Sequence, residues 1–327
     1  MLVSVVIPVH NRRTLIVPTV RSALAQTCAP AEVIVVDDGS DDGTADVVAA
    51  TFGDAVRLIR LPSNQGRSIA RNTGWAAARG ELVALLDSDD LWLRDKLARQ
   101  VPHFADPSVA LVHARIAIID SNDTLCRAET VDVERAFDVA ERRGYDYNGI
   151  TATWCRMYTS TVVLRRELLE TTGGFDPSLS QFEDWDLFWR VSLHGRVVTL
   201  RDTLVHYRVH RGNTPLRWAV DASPWLHVMQ KHLAALPSTP SLRRARHNLL
   251  LNLSLGEYWR GNRAASRAWM RQALQVSLRP LGHPAHPVWS APLLHTVLPA
   301  FAANQLIRMF GVDAYQRDRV PDSTAPP

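Results

Sequence analysis

Two acidic side chains at the end of an apolar run offer the clearest chemistry in this chain. They are Asp87 and Asp89 in Leu82-Val83-Ala84-Leu85-Leu86-Asp87-Ser88-Asp89-Asp90. The five apolar residues read as a buried strand, and the acids fall where it ends. Side chains two apart on a strand face one side, so both carboxylates can point into one cleft. Such a pair repels unless a proton or cation lies between them. A hard divalent ion, Mg²⁺ or Mn²⁺, suits the pair and commonly keeps waters and a substrate phosphate as its other ligands. A polar loop of solvated aspartates is the plain alternative, since Asp is common turn material.

The elements that must position these acids can be read along the chain. Apolar runs predict strands over 3–9, 33–36, 56–61 and 82–86, and helical spacing predicts helices over 14–26, 44–52 and 68–79. Strands that are apolar throughout, alternating with helices, imply a parallel sheet covered on both faces. Ligands bind such sheets at the carboxyl ends of the strands. His10-Asn11, Asp37-Asp38 and Asp87-Ser88-Asp89 all fall at those ends. From about 109 to 210 the pattern turns to mixed strands and helices, with strand-like stretches at 110–119 and 160–164, a turn at Gly173-Gly174-Phe175-Asp176 and a short helix over 185–193. Beyond about 214 it becomes helical, with a possible hairpin over 249–278. The tail 320–327 is expected to be disordered.

Whole-chain properties bound the answer. A length of 327 residues allows one large domain or two modest ones. Hydrophobic content of 46% and charged content of 21% describe an ordinary soluble protein. The net charge is only +4, and Lys96 and Lys231 are the sole lysines, so nearly all positive charge is arginine. No basic stripe, zinc-finger spacing or RNP-type aromatic motif accompanies it, so nucleic acid is not an expected partner. Cys28, Cys126 and Cys155 are odd in number and widely spaced, which favours a reducing compartment. No signal peptide or spanning helix is expected, because the chain enters a strand at once and the uncharged stretch 280–307 is broken by five prolines. A cytoplasmic location follows as the expectation. A GxGxxG after the first strand and a P-loop are both missing, so neither a standard dinucleotide nor an NTP site is expected.

Seven short motifs then occur in order: Pro8-Val9-His10-Asn11, Val35-Val36-Asp37-Asp38-Gly39-Ser40, Asp42-Gly43-Thr44, Asn64-Gln65-Gly66, Ala70-Arg71-Asn72, Leu86-Asp87-Ser88-Asp89-Asp90 and Glu183-Asp184-Trp185-Asp186-Leu187. Each is weak alone; the ordered set resembles a family 2 glycosyltransferase of the GT-A fold over about residues 1–212. The resemblance implies an α/β domain with a central, mostly parallel sheet flanked by helices. Residues 1–108 would form its nucleotide-sugar half and 109–212 its acceptor and catalytic-base half, followed by a helical extension over 213–319. It implies transfer of a sugar from a nucleotide-diphosphate donor to a carbohydrate or lipid-linked acceptor. Asp89 would be the main metal ligand, Asp87 would touch the ribose or the metal's water shell, and Asp38 would accept from the base's ring N–H. Pro8, His10 and Asn11 would line the nucleotide pocket, although the family most often carries Tyr where His10 stands. Arg71 would approach the diphosphate or ribose, with a surface ion pair as the competing role. His210, in His206-Tyr207-Arg208-Val209-His210, would be a further metal or diphosphate ligand.

In the family the Asp of the Glu-Asp pair takes the proton of the acceptor hydroxyl, which makes Asp184 the expected general base. A carboxylate base with a metal on the leaving group implies direct displacement with inversion. The competing role for Asp184 is an N-cap of the following helix. Other readings are a nucleotidyltransferase, which would need a glycine-rich basic loop after the first strand, and a non-catalytic carbohydrate-binding protein, which would not need four acids in one cleft. A glycoside hydrolase also uses paired carboxylates, but a diphosphate-type metal site argues against it. The stretch 280–307 beside arginine-rich helices suggests a peripheral membrane contact, and loop 131–153 would carry acceptor selectivity.

Overall fold

The computed structural model describes residues 1–131, 134, 157–210, 223–236 and 242–276. It comprises two compact units: 1–142 with 156–213, and 143–155 with 214–327.

The first unit carries one eight-stranded sheet. Its elements in chain order are β1 (Val3–Val9), α1 (Ile16–Leu24), β2 (Glu32–Asp37), α2 (Thr44–Phe52), β3 (Arg57–Arg60), α3 (Arg67–Ala76), β4 (Leu82–Leu85), β5 (Leu91–Trp92), α4 (Lys96–Gln100), β6 (Val109–Ile119), β7 (Val163–Arg165), α5 (Arg166–Thr172), α6 (Glu183–Ser192) and β8 (Arg196–Arg208). The strand order is β3-β2-β1-β4-β7-β6-β8-β5. The first four strands pair in parallel, as their unbroken apolar character predicts. Beyond β4 the sheet is mixed: β7 is antiparallel to β4 and β6, β6 is parallel to β8, and β5 is antiparallel to β8.

The sheet is positioned by its apolar faces. Val5, Ile7, Val35, Leu82, Ala84 and Val163 lie in one buried core with Ile16, Val20 and Ala23 of α1. Those α1 residues recur at helical spacing, which is why this helix lies flat on the sheet. Helix α3 approaches the other face closely: a Cβ on Gly74 would lie 2.3 Å from a Val6 methyl carbon. Pro8 sits in β1 opposite Val36, past the last β1–β4 pairing at Val6 and Leu85. Its missing N–H therefore removes no ladder bond to β4.

The second unit contributes helices α7 (Ser223–Ala235), α8 (Arg243–Trp259) and α9 (Arg263–Val276). Helices α8 and α9 form the expected hairpin around Leu250, Leu251, Leu255, Met270 and Ala273. Among the described residues no helix is long and apolar enough to cross a membrane. Loop 131–153 (all but Val131 and Glu134), the stretch 280–307 and the tail 320–327 lie outside the described residues.

Candidate active site

The carboxyl ends of β1 and β2 are stitched together by side chains from three motifs. Asn11, with a positive φ of 52°, accepts from the Asp41 N–H at 3.0 Å, and its own N–H donates to Ser40 Oγ at 2.9 Å. Asn tolerates that left-handed conformation better than most residues. Asp38 is buried, and its two oxygens accept from the N–H groups of Gln65 and Gly66 at 2.7 and 2.8 Å. Each oxygen has a second lone pair for a further donor. His10 Nδ1 bonds the Asp38 carbonyl at 2.9 Å, and Pro8 is buried in β1. Asp37 accepts weakly from Ser40 N–H, holding the turn. Gly39 closes this corner: its φ is +66°, and a Cβ there would meet the Ser63 carbonyl carbon at 2.4 Å.

The acidic turn after β4 differs from the strand-based expectation. β4 ends at Leu85, and 87–90 form a turn closed by Asp90 N–H on the Asp87 carbonyl at 3.2 Å. Two-residue alternation therefore does not apply, and Asp87 and Asp89 take different partners. Asp87 Oδ1 pairs with Arg71 at 2.7 Å. Asp89 Oδ2 accepts from His210 Nε2 at 3.0 Å and lies 3.7 Å from Arg12 Nε. Asp90 is buried, accepting from the Arg208 N–H at 2.9 Å and from Ser160 Oγ at 2.5 Å. Burial, with Asp89 and Asp87 nearby, pushes its carboxyl well above the usual range. Buried Arg208 ties this turn to β8, donating to the Asp89 carbonyl at 2.8 Å and the Asp120 carbonyl at 3.2 Å and pairing with Asp123. That staple brings His210 beside Asp89.

Asp184 lies in the first turn of α6. Phe182, at φ 63°, is the N-cap and makes no side-chain cap bond. Instead Asp184 Oδ1 accepts from the Trp185 N–H at 2.7 Å, and Oδ2 accepts from Thr159 Oγ1 at 3.2 Å. Acids at Glu183, Asp184 and Asp186 suit the positive end of the helix dipole. Burial, then the neighbouring Glu183 charge, pushes the Asp184 carboxyl up to about 6, with Arg71 and Arg67 opposing. A base poised there is ionised at neutral pH yet retains proton affinity.

Arg71 joins the two acidic regions. It is 4% exposed, bonding Glu183 Oε1 at 2.8 Å and Asp87 at 2.7 Å, with its guanidinium 5.1 Å from the Phe175 ring centre. A surface ion pair is thus not its role. Arg67 reinforces the buried Glu183 at 2.6 Å. The spacing of Arg67 and Arg71 on one helix face was a usable signal for this link. Nothing in the sequence marks Glu183 as their partner, 112 residues from Arg71 and 116 from Arg67.

As a metal centre, one carboxylate oxygen and one imidazole nitrogen stand together at Asp89 and His210. Among the described residues no group of three or more His, Cys, Asp or Glu could hold an ion alone. Two protein ligands, with the remainder supplied by waters and phosphate oxygens, is the pattern a hard divalent ion accepts.

A mannosyltransferase from Pyrobaculum calidifontis, solved with GDP-Man and Mn²⁺, superposes with a TM-score of 0.60 at 22% identity, covering 94% of this chain and 86% of that one. The architecture is the GT-A fold, as expected. The family model for glycosyl transferase family 2 matches residues 4–171, just over half of the chain, and the chain belongs to that family. An uncharacterized glycosyltransferase of Nostoc sp. is 36% identical over 217 residues, 65% of this chain and 66% of that protein. An Escherichia coli UDP-Glc:alpha-D-GlcNAc-diphosphoundecaprenol beta-1,3-glucosyltransferase is 29% identical over 215 residues, 65% of this chain and 79% of that protein. Several other curated relatives are matched over only 28 to 50% of their length.

Proposed function

We propose that this chain transfers a sugar from a nucleotide-diphosphate donor to an acceptor hydroxyl, inverting the anomeric carbon, in the synthesis of a cell-surface polysaccharide or glycoconjugate. The observation that carries the reading is Asp184: a carboxylate pushed up to about 6, fixed by two hydrogen bonds, and tied through Glu183 and Arg71 to the acidic turn of β4. Membership in the family and the name of the E. coli relative support the class of reaction and a lipid-linked acceptor.

In this reading Asp184 accepts the proton of the acceptor hydroxyl as that oxygen attacks the anomeric carbon from the face opposite the diphosphate. One displacement of that kind inverts the centre. Asp38, anchored by two backbone donors, keeps lone pairs for the nucleobase N–H, while His10, Asn11 and Pro8 shape the corner beside it. Asp89 and His210 would hold a divalent ion, Mn²⁺ or Mg²⁺, whose chemistry when bound is to offset the charge growing on the departing diphosphate. Arg71 keeps the Asp87 side chain oriented and the first turn of α6 in register with it.

The test is a calorimetric screen of nucleotide sugars with Mn²⁺, followed by D184N on the donor that binds. The variant should keep donor affinity and lose transfer. Near-full transfer by D184N would refute the base assignment, and a screen in which no nucleotide sugar binds would refute the donor class.

A further inference from the structure

Thr159 and Ser160 open a single tight turn, Thr159–Thr161, that leads into β7. Both are buried, and their neighbouring hydroxyls reach different parts of the site. Thr159 Oγ1 donates to Asp184 Oδ2 at 3.2 Å. Ser160 Oγ donates to Asp90 Oδ2 at 2.5 Å and accepts from the Asp87 N–H at 3.0 Å. The turn itself is rigidly placed. Thr161 and Val162 N–H groups bond the carbonyls of Tyr158 and Thr159 at 2.8 and 3.1 Å, and the Ser160 carbonyl accepts from Trp92 Nε1 at 2.7 Å. The Leu85 N–H on the Val162 carbonyl, at 3.1 Å, fixes the turn against the last residue of β4.

We propose that Thr159 and Ser160 are positioning residues for separate halves of the transfer: Thr159 orients the base Asp184, and Ser160 sets the acidic turn that meets the donor diphosphate. The inference rests on the reading of Asp184 as base and of the 87–89 turn as the donor side. Its physical content is a division of labour. A hydroxyl donating to a carboxylate favours the ionised form, so Thr159 lowers the proton affinity of Asp184 and selects one orientation of its oxygens. Glu183 on α6 and Arg71 and Arg67 on α3 are the charged groups that also face Asp184. Ser160 holds the Asp87 backbone and the Asp90 carboxylate, so the shape of the turn depends on it.

Four variants of the full chain separate these roles: T159V, T159S, S160A and D184N. T159V is close in shape and lacks the hydroxyl. It should move the acid limb of kcat/KM upward by about half a pH unit, so the rate at pH 6 falls about twofold while that at pH 8 changes little. Nucleotide affinity in the presence of Mn²⁺ should stay within twofold, and T159S should restore the limb. S160A should weaken Mn²⁺-dependent nucleotide binding about tenfold and leave the acid limb in place. If S160A does not fold, S160C, which keeps the size of the side chain but weakens both of its hydrogen bonds, carries the test. An unmoved acid limb in folded T159V overturns the proposal, as does a pair of variants that shift both readouts alike. D184N keeps the two failures apart: a D184N enzyme that still transfers sugar refutes the base assignment itself, whereas an inactive D184N beside a wild-type T159V profile refutes only the role of Thr159.

Discussion

Replacing Arg71 by methionine removes a side chain that bonds both Asp87 and Glu183. Methionine fills much of the same space, so the change isolates the charge and its forked hydrogen bonds. Glu183, 2% exposed, would keep only Arg67, and Asp87 would lose its 2.7 Å partner. Removing one partner of a buried pair typically costs about 3–5 kcal/mol. The lower end applies here, because Arg67 still faces Glu183 and the Asp87 side chain is partly open to water. In a unit of this size, about 3 kcal/mol corresponds to a fall in Tm of about 6–12 °C. The same guanidinium opposes the rise in Asp184 proton affinity, so its loss should carry the acid limb of kcat/KM above pH 6. Differential scanning fluorimetry and a pH–rate profile read the two effects on one sample. Lysine at 71 keeps the charge but presents no planar fork, and should give an intermediate result. Because the pair is buried, the loss should persist at 0.5 M salt, where an exposed pair would be largely screened. A methionine variant melting within a degree of wild type, with its acid limb in place, would show that Arg71 does not join the two acidic regions.

Four further outcomes follow from the same geometry. Asp184 is held above its ordinary range, so the folded chain keeps a proton that the unfolded chain releases, and stability should fall as pH rises from about 4 to 6 and then level off. That displacement is worth up to about 3 kcal/mol, less to the extent that water reaches the carboxylate; D184N should therefore flatten the slope and melt higher than wild type at pH 8, and equal slopes in a denaturation series would contradict this. Asp89→Ala and His210→Ala should each weaken Mn²⁺-dependent nucleotide binding by at least about tenfold in calorimetry, and titrations that match wild type would remove the metal pair. Gly39→Ala should cost about 2–4 kcal/mol in chemical denaturation and disturb nucleotide binding, because its Cβ would meet the backbone of Ser63 and Asn64 at a positive φ. Lys96 is buried with its Nζ 4.0 Å from the Trp92 ring centre and no hydrogen-bond partner among the described residues, and burial drives its ammonium well below the usual range; Lys96→Met, which keeps an apolar contact with that ring, should raise Tm and remove the loss of stability that wild type suffers as pH falls from about 10, and an unchanged Tm would be the contrary result.

What the sequence disclosed and what it withheld divide along a physical line. Strands β1 to β4 were legible because residues buried on both faces must all be apolar, and that requirement is written locally. Helix α2 was legible from its helical spacing, and it runs between Gly43 and Gly53 as that spacing predicts. The acids at 38, 87, 89 and 184 were legible as chemical types. Their geometry was not: two-residue alternation placed Asp87 and Asp89 side by side, but β4 stops at Leu85 and the turn sends them to different partners. The countercharges were hidden too, since the pairing of Arg71 with Glu183 or of His210 with Asp89 depends on which strands are neighbours rather than on spacing. Thr159 and Ser160 were hidden as well: the stretch 160–164 reads as strand-like, but 159–161 form a tight turn and β7 begins only at Val163. This division has a consequence for the chemistry. Each visible carboxylate already has a cation, a hydroxyl or backbone N–H groups from a distant element, so the acids are not a bare cluster awaiting an ion. Under the proposed function, Arg71 and Thr159 would hold Asp87 and Asp184 in different orientations, and an ion at Asp89 and His210 would have to replace the 3.0 Å bond between those two side chains.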